Sequence, residues 1–481
     1  RSKARYDSWD RPVEETIGLS DDPQKSAPST VQRRYFLNGL LEWEKRTQKR
    51  SDGTTRLIQT TYSYNDRGQI LTIKRDGLAA ETAGGPSDAT GTTTYTYDPS
   101  TGLLADVISP AGITTHFTYD TAGRVKSART GGSAERMIGY DELGRPAWAH
   151  DGDQGQWTGI YDKLGRLRTE SHPTGARVSR LFDNAGGLKS EDVRDSQDPS
   201  RVLSSMTAHV TSFGAVDSLS QRQSEGLSLD VARSFDTGGR FKRQTSSGRL
   251  DAELTYETET GRVASVADAT SKTVLRYDSD GSPWPSGLDS FESPSGATCG
   301  TAAPTTSSQF ELDALGRVRS ESSTDGTRTA VDYDEEGRPL SVTSGAGSTT
   351  TFSWDSVGAL VSVTRPEGRG ATRYGYDLDG RLRARSAIAA SGQSFDVTYD
   401  YDSSGRLWHV QRAGQPVETF EYFPDDVVHE HRRRDGTVVT FAYDAGNRPM
   451  SATPAAPSEP GSVIVDGGQG YEWDALSRLL A

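Results

Sequence analysis

The sequence predicts an all-β protein built as one array of β-hairpins, and three observations carry this prediction. A short motif, aromatic-Asp-x-x-Gly-Arg-apolar, recurs about twenty times between residues 6 and 479. The commonest step between copies is 21 residues, and nowhere does a sustained apolar period of 3.6 residues indicate a helix. A fixed period is typical of folds in which each repeat packs against its neighbours. We therefore expect about twenty tandem hairpins in one long antiparallel sheet.

The copies keep a near-constant register along the chain. The residue before the anchor position is aromatic in eighteen of twenty copies and is Tyr in fourteen, and the anchor itself is Asp in fifteen. Nine of the nineteen steps between anchors are 21 residues. Each unit therefore has room for two strands of about six residues, each roughly 20 Å long. The anchors are residues 7, 36, 65, 98, 120, 141, 162, 183, 211, 236, 257, 278, 313, 334, 355, 377, 402, 423, 444 and 474.

The motif itself predicts a hairpin turn. A short carboxylate accepts backbone N–H bonds from residues further along the turn, and a left-handed residue closes the loop. The Gly position is Gly in sixteen copies, and three of the four exceptions are Asp10, Asp426 and Asn447, residue types that tolerate a positive φ. The flanking segments, such as residues 92–97 and 71–74, are rich in β-branched and aromatic residues, which favours strands.

No composition shift or long charged linker divides the array, so we interpret residues 1–481 as a single repeat domain. Irregular steps mark four insertions, residues 76–91, 191–205, 283–308 and 453–470, which are rich in Gly, Ser, Pro and Ala and are predicted to be surface loops. Only 32% of residues are hydrophobic and the mean hydropathy is −0.67. This apolar content suits a thin wall better than a large filled core.

Charge and composition exclude several classes of protein. The net charge is −13 and the arginines are dispersed at one per repeat, so no basic stripe for a nucleic acid exists. No run approaches 18 consecutive apolar residues, so no membrane span is predicted. Cys299 is the only cysteine, which excludes an internal disulfide and a thiolate metal cluster. Ten lysines against 44 arginines, with four asparagines, indicate a GC-rich bacterial source.

The repeated Tyr-Asp-x-x-Gly-Arg-Leu unit resembles the YD repeat of Rhs proteins, wall-associated bacterial toxins, insecticidal Tc toxin shells and animal teneurins. Its clearest copies are residues 119–125, 140–146, 161–167 and 401–407. The resemblance implies a long spiralling antiparallel sheet that forms a hollow shell or barrel. In bacterial members this shell encloses a toxic C-terminal payload, and in teneurins it carries adhesion functions. The expected location is secreted, extracellular or at the cell surface.

Counting strands supports a hollow shape. Some forty strands at about 4.8 Å spacing form a ribbon on the order of 190 Å wide, whereas roughly eight strands already close a barrel filled by its own side chains. Bacterial relatives commonly end the shell with a Pro- and Gly-rich self-cleaving segment followed by a toxin. This sequence ends within a repeat, at residues 473–479. We therefore expect a piece of a longer shell, whose closure depends on further N- and C-terminal segments.

The repeated residues are best interpreted as structural. A catalytic carboxylate is needed once or twice, whereas Asp120, Asp141, Asp162 and Asp183 occupy equivalent turns. The motif arginines are expected to stack along adjacent hairpins, with their charge offset by Asp or Glu and their stems over tyrosine faces. The tyrosines are expected to form an aromatic ladder, with a carbohydrate-binding platform as the alternative. These arginines include Arg124, Arg145, Arg166, Arg381 and Arg406.

Three non-repeated features carry residue types that metal sites use. His429, Glu430 and His431 follow Asp425 and Asp426 and offer imidazole and carboxylate ligands. Residues 278–281 and 377–380 resemble the start of a calcium loop, but both lack the later acidic ligand and coincide with the repeat turn. We therefore predict no catalytic, cofactor-binding or metal site, no cofactor and no enzymatic activity.

Three functions remain open. The preferred one is a structural shell whose partner is its own C-terminal toxin or another enclosed polypeptide. The second is a teneurin-like adhesion module that binds a cell-surface glycan or protein. The third is a ten-blade propeller scaffold, disfavoured because odd and even repeats do not alternate in sequence and because ten blades exceed the usual number.

Overall fold

The structure, a computed structural model, describes most of the 481 residues. The described residues are 3–17, 29–49, 55–82, 85–151, 155–173, 175–184, 186–194, 200–211, 215–223, 228–247, 249–278, 282–292, 304–313, 315–443, 449–455 and 469–470. Cys299, Asn447 and residues 473–479 lie outside them. Within the described residues the chain is almost entirely β-strand, with one short 3-10 helix at Pro366–Gly368. No described helix is both long enough and apolar enough to cross a membrane.

The strands form a single sheet in which each strand pairs antiparallel with the next one along the chain. The first half of the described strands is β1 Lys3–Tyr6, β2 Pro12–Ile17, β3 Ser29–Tyr35, β4 Leu41–Lys49, β5 Thr55–Tyr64, β6 Ile70–Thr82, β7 Gly85–Tyr97, β8 Leu104–Ile108, β9 Thr114–Tyr119, β10 Val125–Thr130, β11 Arg136–Tyr140, β12 Pro146–Asp151, β13 Gln156–Tyr161, β14 Leu167–Ser171, β15 Arg177–Phe182, β16 Leu188–Arg194, β17 Val202–Val210, β18 Val216–Gln223, β19 Ser228–Phe235 and β20 Phe241–Ser246.

The second half is β21 Arg249–Tyr256, β22 Val263–Ala267, β23 Ser271–Arg276, β24 Gly287–Glu292, β25 Thr306–Leu312, β26 Val318–Ser323, β27 Arg328–Tyr333, β28 Pro339–Ser344, β29 Thr349–Trp354, β30 Leu360–Thr364, β31 Ala371–Tyr376, β32 Leu382–Ile388, β33 Ser394–Tyr401, β34 Leu407–Arg412, β35 Glu418–Tyr422, β36 Val428–Arg432, β37 Val438–Tyr443, β38 Pro449–Ala455 and β39 Gln469–Gly470. The described strands thus make a meander of 39 strands, which confirms the predicted all-β array.

The motif forms the predicted turn at one edge of the sheet, which we call the motif edge. In the copy at residues 140–146, Asp141 N–H donates to the Arg145 carbonyl at 2.9 Å and Gly144 N–H donates to the Asp141 carbonyl at 3.0 Å. Gly144 has a φ of 81°, and Asp10 and Asp426, which replace Gly, have φ of 59° and 72°. The left-handed position is therefore confirmed for the described copies.

The opposite edge of the sheet, which we call the loop edge, carries a second series of turns that sequence analysis did not single out. Between β8 and β9, Ser109 N–H donates to the Ile113 carbonyl and Gly112 N–H donates to the Ser109 carbonyl, both at 2.9 Å. Gly112 has a φ of 87°, as a tight left-handed turn requires. The two edges are thus closed by the same kind of turn, although only the motif edge carries the Asp-Arg pair.

The prediction of a surface loop at residues 76–91 is wrong for most of that segment. β6 continues to Thr82 and β7 begins at Gly85, so the insertion lengthens a hairpin. Antiparallel pairing satisfies the backbone N–H and C=O groups, and the small side chains of this segment do not oppose it. Strands also cover the ends of the insertion at 191–205, residues 287–292 and 306–308 of the third insertion, and residues 453–455 of the fourth.

Little of the sheet is buried, as expected for a thin wall. Among the described residues the buried hydrophobic side chains are few and scattered, and the one cluster of them joins Ala176, Val178 and Val193, with Leu203 packed against it. The chain exposes 27928 Å² of surface. A compact monomer of the same mass would expose about 17,500 Å². The sheet is therefore one layer and does not fold face to face around a core.

The sheet coils until it meets itself. Residues 268 to 293 positions apart contact each other, so that motif-edge turns between β27 and β36 lie against the loop edge of β4–β11. We call β4–β11 the first winding, β27–β36 the second winding, and the contact between them the seam. The long hairpin β6–β7 projects into the seam, where β6 pairs parallel with β31 at Ala80 and Tyr376. No ladder among the described strands joins β1 to β39, so hydrogen bonding leaves the ribbon open.

Candidate functional site

The anchor Asp of each motif closes its own turn with both carboxylate oxygens. Asp141 Oδ1 accepts hydrogen bonds from the N–H groups of Leu143 and Arg145 at 2.9 Å, and its Oδ2 accepts one from Arg145 Nε at 2.7 Å. The Arg145 guanidinium, which donates this side-chain bond, and the backbone N–H groups hold the pKa of Asp141 below its usual range. The same pattern recurs at Asp7, Asp120, Asp162, Asp236, Asp313, Asp334, Asp377 and Asp402.

The motif Arg links its own turn to the next copy. The guanidinium of Arg145 lies over the Tyr161 ring, 4.6 Å from the ring centre, and its Nη1 donates to the Asp162 carbonyl at 3.3 Å. The predicted stacking of arginines on aromatic faces is therefore confirmed. Equivalent stacking occurs for Arg11 on Tyr35, Arg124 on Tyr140, Arg166 on Phe182, Arg240 on Tyr256, Arg262 on Tyr277, Arg317 on Tyr333, Arg338 on Trp354, Arg381 on Tyr401 and Arg406 on Tyr422.

The motif Tyr reaches back to the preceding copy through its hydroxyl, a contact that sequence analysis missed. Tyr161 Oη donates to the Pro146 carbonyl at 2.9 Å, and Pro146 is the apolar residue that ends the preceding motif. Partial burial raises the pKa of several of these phenols, among them Tyr119 and Tyr376. The same bond is made by Tyr35, Tyr64, Tyr97, Tyr119, Tyr140, Tyr256, Tyr277, Tyr333, Tyr376, Tyr401, Tyr422 and Tyr443.

Together, these two contacts join a motif to the preceding one wherever the Tyr and the preceding Arg are both present, as at Tyr161 and Arg145. The Tyr hydroxyl is hydrogen-bonded to the preceding motif, and the Arg of that motif covers the Tyr ring. Little of the aromatic row is therefore open to a ligand. In the sequence, the signal for the hydroxyl bond was the preference for Tyr over Phe at a position where ring packing alone would accept either. The motif is thus a mechanical link between hairpins.

The seam is polar, and backbone groups take part in it. Asp379, in the turn after β31, accepts the Ser109 hydroxyl at 2.7 Å and the Ala111 N–H at 2.9 Å. At the next turn along each edge, Gly132 N–H donates to Ser404 Oγ at 2.7 Å. Gly131 lies so close to the backbone of Ser403 that a side chain there would collide with it. The seam is therefore a close fit as well as a polar one.

Charged pairs mark both ends of the seam. Arg46 contacts Glu336 at 2.9 Å. At the other end, Asp426 accepts the Ser133 hydroxyl at 2.6 Å and lies 3.4 Å from Arg136 Nη2. Burial of the anchor carboxylate differs between copies of the motif. The Asp334 side chain is fully buried, whereas 24% of the Asp141 side chain and 21% of the Asp402 side chain are exposed.

The histidine-rich repeat places its two imidazoles against aromatic rings. His431 stacks on Phe420 with 4.3 Å between ring centres, and His429 packs against Phe423 at 4.4 Å. Glu430 instead lies 3.3 Å from Arg432. Among the described residues, no group of three His, Cys, Asp or Glu side chains is placed to hold a metal ion.

The two segments that resemble calcium loops have other roles or lie outside the description. Asp377 closes its own turn with Arg381, and Asp379 crosses the seam to Ser109. In the other segment only Asp278 is described, since residues 279–281 lie outside the described residues.

The comparisons with known proteins agree with this geometry. The family model described as RHS Repeat matches residues 313–349 and 333–369. Residues 313–369 are therefore RHS repeats. The matched residues include two of the motif turns at and beside the seam, at Asp334 and Asp355. No curated protein matches the chain significantly.

Solved structures that this chain resembles include Tc toxin components. A structure of the Photorhabdus luminescens Tc holotoxin pore matches 97% of this chain with a TM-score of 0.59 at 12% identity. TcdB2-TccC3 matches 99% with a TM-score of 0.55 at 12% identity, and TcdB2-TccC3 without its hypervariable C-terminal region matches 94% with a TM-score of 0.56 at 13% identity. The chain spans 29%, 34% and 27% of those chains, respectively. At this identity the likeness shows the fold, a sheet like that of the Tc toxin shell.

Proposed function

We propose that this chain is a non-catalytic wall that encloses and protects a polypeptide payload, a C-terminal toxin in a bacterial parent protein. The observation that carries the proposal is the seam, because a sheet that coils onto itself bounds a space. Its contribution is exclusion: a continuous hydrogen-bonded wall keeps an enclosed chain away from proteases and from the cell that made it. The motif residues are engaged with each other, which fits a structural role.

The dimensions of one winding suit such a payload. β6 meets β31, so one circuit takes 31 − 6 = 25 strands. At a spacing of about 4.8 Å the circuit is about 120 Å around and about 38 Å across. Side chains of about 5 Å on the inner face leave a lumen about 28 Å wide. A folded domain of 100 residues has a radius of gyration of about 13 Å and hence a diameter of about 34 Å, so a lumen of this width suits an unfolded segment better than a folded domain.

We place the protein outside the cell or at the surface of a GC-rich bacterium. The Arg-to-Lys bias supports the source, and the resemblance to secreted toxin shells supports the location. Fractionation of a native culture with an antibody to this chain tests this part, and recovery in the cytosol alone contradicts it.

Imaging of the parent protein tests enclosure. Electron cryomicroscopy of the full parent should show a wall with density inside it, and a parent truncated after this array should show the same wall without that density. Limited proteolysis gives a second readout, since the payload should resist a protease that digests the isolated payload. A solid particle, or a payload as sensitive in the parent as alone, contradicts enclosure.

A further inference from the structure

The long hairpin β6–β7 changes character at Gly77. Before this residue the hairpin lies within the sheet, because β5 pairs with β6 up to Arg75 and β8 pairs with β7 from Thr94 onward. Beyond Gly77, residues 78–82 and 85–89 pair with each other, and β31 is the one further described strand that pairs with them. A two-stranded ribbon is marginally stable by itself. The position of this projecting part is therefore set by what it docks on.

Gly77 directs the hairpin at the second winding. It interrupts the β6–β7 ladder with a bulge, and its φ of 78° is a left-handed conformation that suits glycine. The carbonyl of Gly77 accepts the Ser356 N–H at 3.0 Å. Three residues later, Ala80 pairs with Tyr376. Because a bulge bends the strand that carries it, Gly77 is the point at which the projecting part pivots.

The second winding has a gap where the hairpin docks. In one copy of the motif, Arg338 lies over Trp354 of the next copy, 5.7 Å from the ring centre. That next copy has Ala359 in the Arg position, and an alanine has no guanidinium to place over Tyr376. An arginine at this position would lie over the ring of the residue that pairs with Ala80. Ala359 thus leaves open the space at Tyr376 that the backbone of the hairpin reaches.

Ser356 shows that the docked hairpin covers this turn. Ser356 is 3% exposed, whereas Thr121, Glu142 and Ser403, which hold the same motif position in other copies, are exposed. Its N–H is bonded to Gly77, but its hydroxyl is buried without a hydrogen-bond partner in the described part of the chain. A buried hydroxyl without a partner costs free energy. The docked contact is therefore closed but weaker than the ladders of the sheet.

We propose that the projecting part of the hairpin, residues 78–82 and 85–89, is a strap that closes the wall reversibly. Docked in the gap at Ala359, the strap ties the first winding to the second. It releases by pivoting at Gly77, while the ladders of both windings stay formed. Release opens the wall beside β31, so the wall has a preset point of opening.

Hydrogen-exchange mass spectrometry of the full wild-type chain tests release. The amides of the strap should exchange faster than those of residues 70–75, because a ribbon that leaves its docking site is only marginally stable whereas the sheet stays intact. Equal protection of the two segments would mean that the hairpin opens only with the sheet, and it overturns the proposal.

Filling the gap should release the strap. Ala359→Arg should place a guanidinium over Tyr376. The Ser356 N–H, measured in the peptide spanning residues 353–361, should then exchange about tenfold faster, as expected for the loss of one hydrogen bond. The matched control Ala215→Arg fills the Arg position of a copy between β17 and β18, outside both windings, and should leave this peptide unchanged.

A shortened hairpin separates release of the strap from a local effect of the substitution. Replacing residues 77–89 by Asn-Gly joins the paired residues Asp76 and Thr90 through a two-residue turn and removes the strap. In this background the Ser356 N–H should already exchange fast, and adding Ala359→Arg should change its rate no further. Circular dichroism that matches the wild type shows that each variant is folded.

Two results of these variants overturn the proposal. One is a wild-type exchange rate at Ser356 after Ala359→Arg or after removal of the strap. The other is an acceleration by Ala359→Arg that is as large in the shortened chain as in the full one, since the substitution then acts on its own turn. If the shortened chain does not fold, the wild-type comparison of the strap with residues 70–75 decides.

Discussion

The hydroxyl of Ser109 donates to Asp379 Oδ2 at 2.7 Å although 270 residues separate the two. Asp379 also accepts the Ala111 N–H, so a single carboxylate holds a whole turn of the first winding. A hydrogen bond to a charged group contributes about 1.5–3 kcal/mol to stability. The position of one winding on the other therefore depends on a few such side chains.

Replacing Asp379 by Ala should loosen the seam without unfolding the repeats. We expect faster amide exchange at Ala111 and its neighbours, because that N–H loses its acceptor, and a local opening free energy lower by about 1–3 kcal/mol. Hydrogen-exchange mass spectrometry of the peptide spanning residues 105–115 measures this. Glu259→Ala is the control, because Glu259 is an acidic residue at the same turn position in another part of the sheet. Equal exchange in both variants would mean that Asp379 does not hold the seam.

Replacing Tyr333 by Phe should destabilise its hairpin pair by about 0.5–1.5 kcal/mol, because the Val318 carbonyl loses the hydroxyl that donates to it at 2.9 Å. Tyr6→Phe is the matched control, since Tyr6 holds the same motif position and is 53% exposed. Urea unfolding followed by local hydrogen exchange gives both values. An equal loss in the two variants would assign the effect to ring packing.

The hairpins and their turns could be predicted because their signals are local. The Asp and Gly positions of the motif indicate a turn with a left-handed residue. Asp10 and Asp426 stand at the Gly position, and Asp is one of the residue types that tolerate the positive φ found there. The stacking of Arg145 on Tyr161 also followed from spacing alone, since the two lie one repeat apart on adjacent hairpins.

The seam could not be predicted in this way. Which turn meets which depends on the small twist between strands summed over the 25 strands from β6 to β31, and no residue encodes that sum. Nothing in the sequence around Asp379 distinguishes it from other turn residues, and only its contact with Ser109 and Ala111 sets it apart. The insertion at 76–91 was misjudged for a related reason, because composition does not reveal that a hairpin has room to extend beside the second winding.

Replacing Arg145 by Lys should cost about 1–2 kcal/mol although the charge is kept, because a lysine cannot form the paired bond to Asp141, reach the Asp162 carbonyl and cover Tyr161 together. Arg168→Lys, at an exposed position in β14 of the next hairpin, should change stability by less than about 0.5 kcal/mol. Thermal and urea unfolding compare the two. Similar losses would mean that charge alone matters at the motif position.

Acid should destabilise the array through its turn carboxylates, and Asp98 provides the clearest case. The hydroxyl of Ser100 and the N–H and hydroxyl of Thr101 lower the pKa of Asp98 to about 2. An unfolded Asp has a pKa of about 3.9, so the folded state binds fewer protons. The stabilisation is thus complete above about pH 5 and is lost as the pH falls through about 4 to 2.

The anchor of the preceding copy supplies the test of this acid dependence. Asn65 already occupies that position, and its Oδ1 accepts the N–H groups of Arg67 and Gln69 at 3.0 and 2.9 Å, so an amide can close the turn. Asp98→Asn should therefore fold, with a melting temperature that falls less than that of the wild type between pH 4 and 2. Asn65→Asp should fall more steeply, because it adds a carboxylate that accepts the same N–H groups. If the melting temperatures of the three proteins fall by the same amount between pH 7 and 2, the turn carboxylates do not set acid stability.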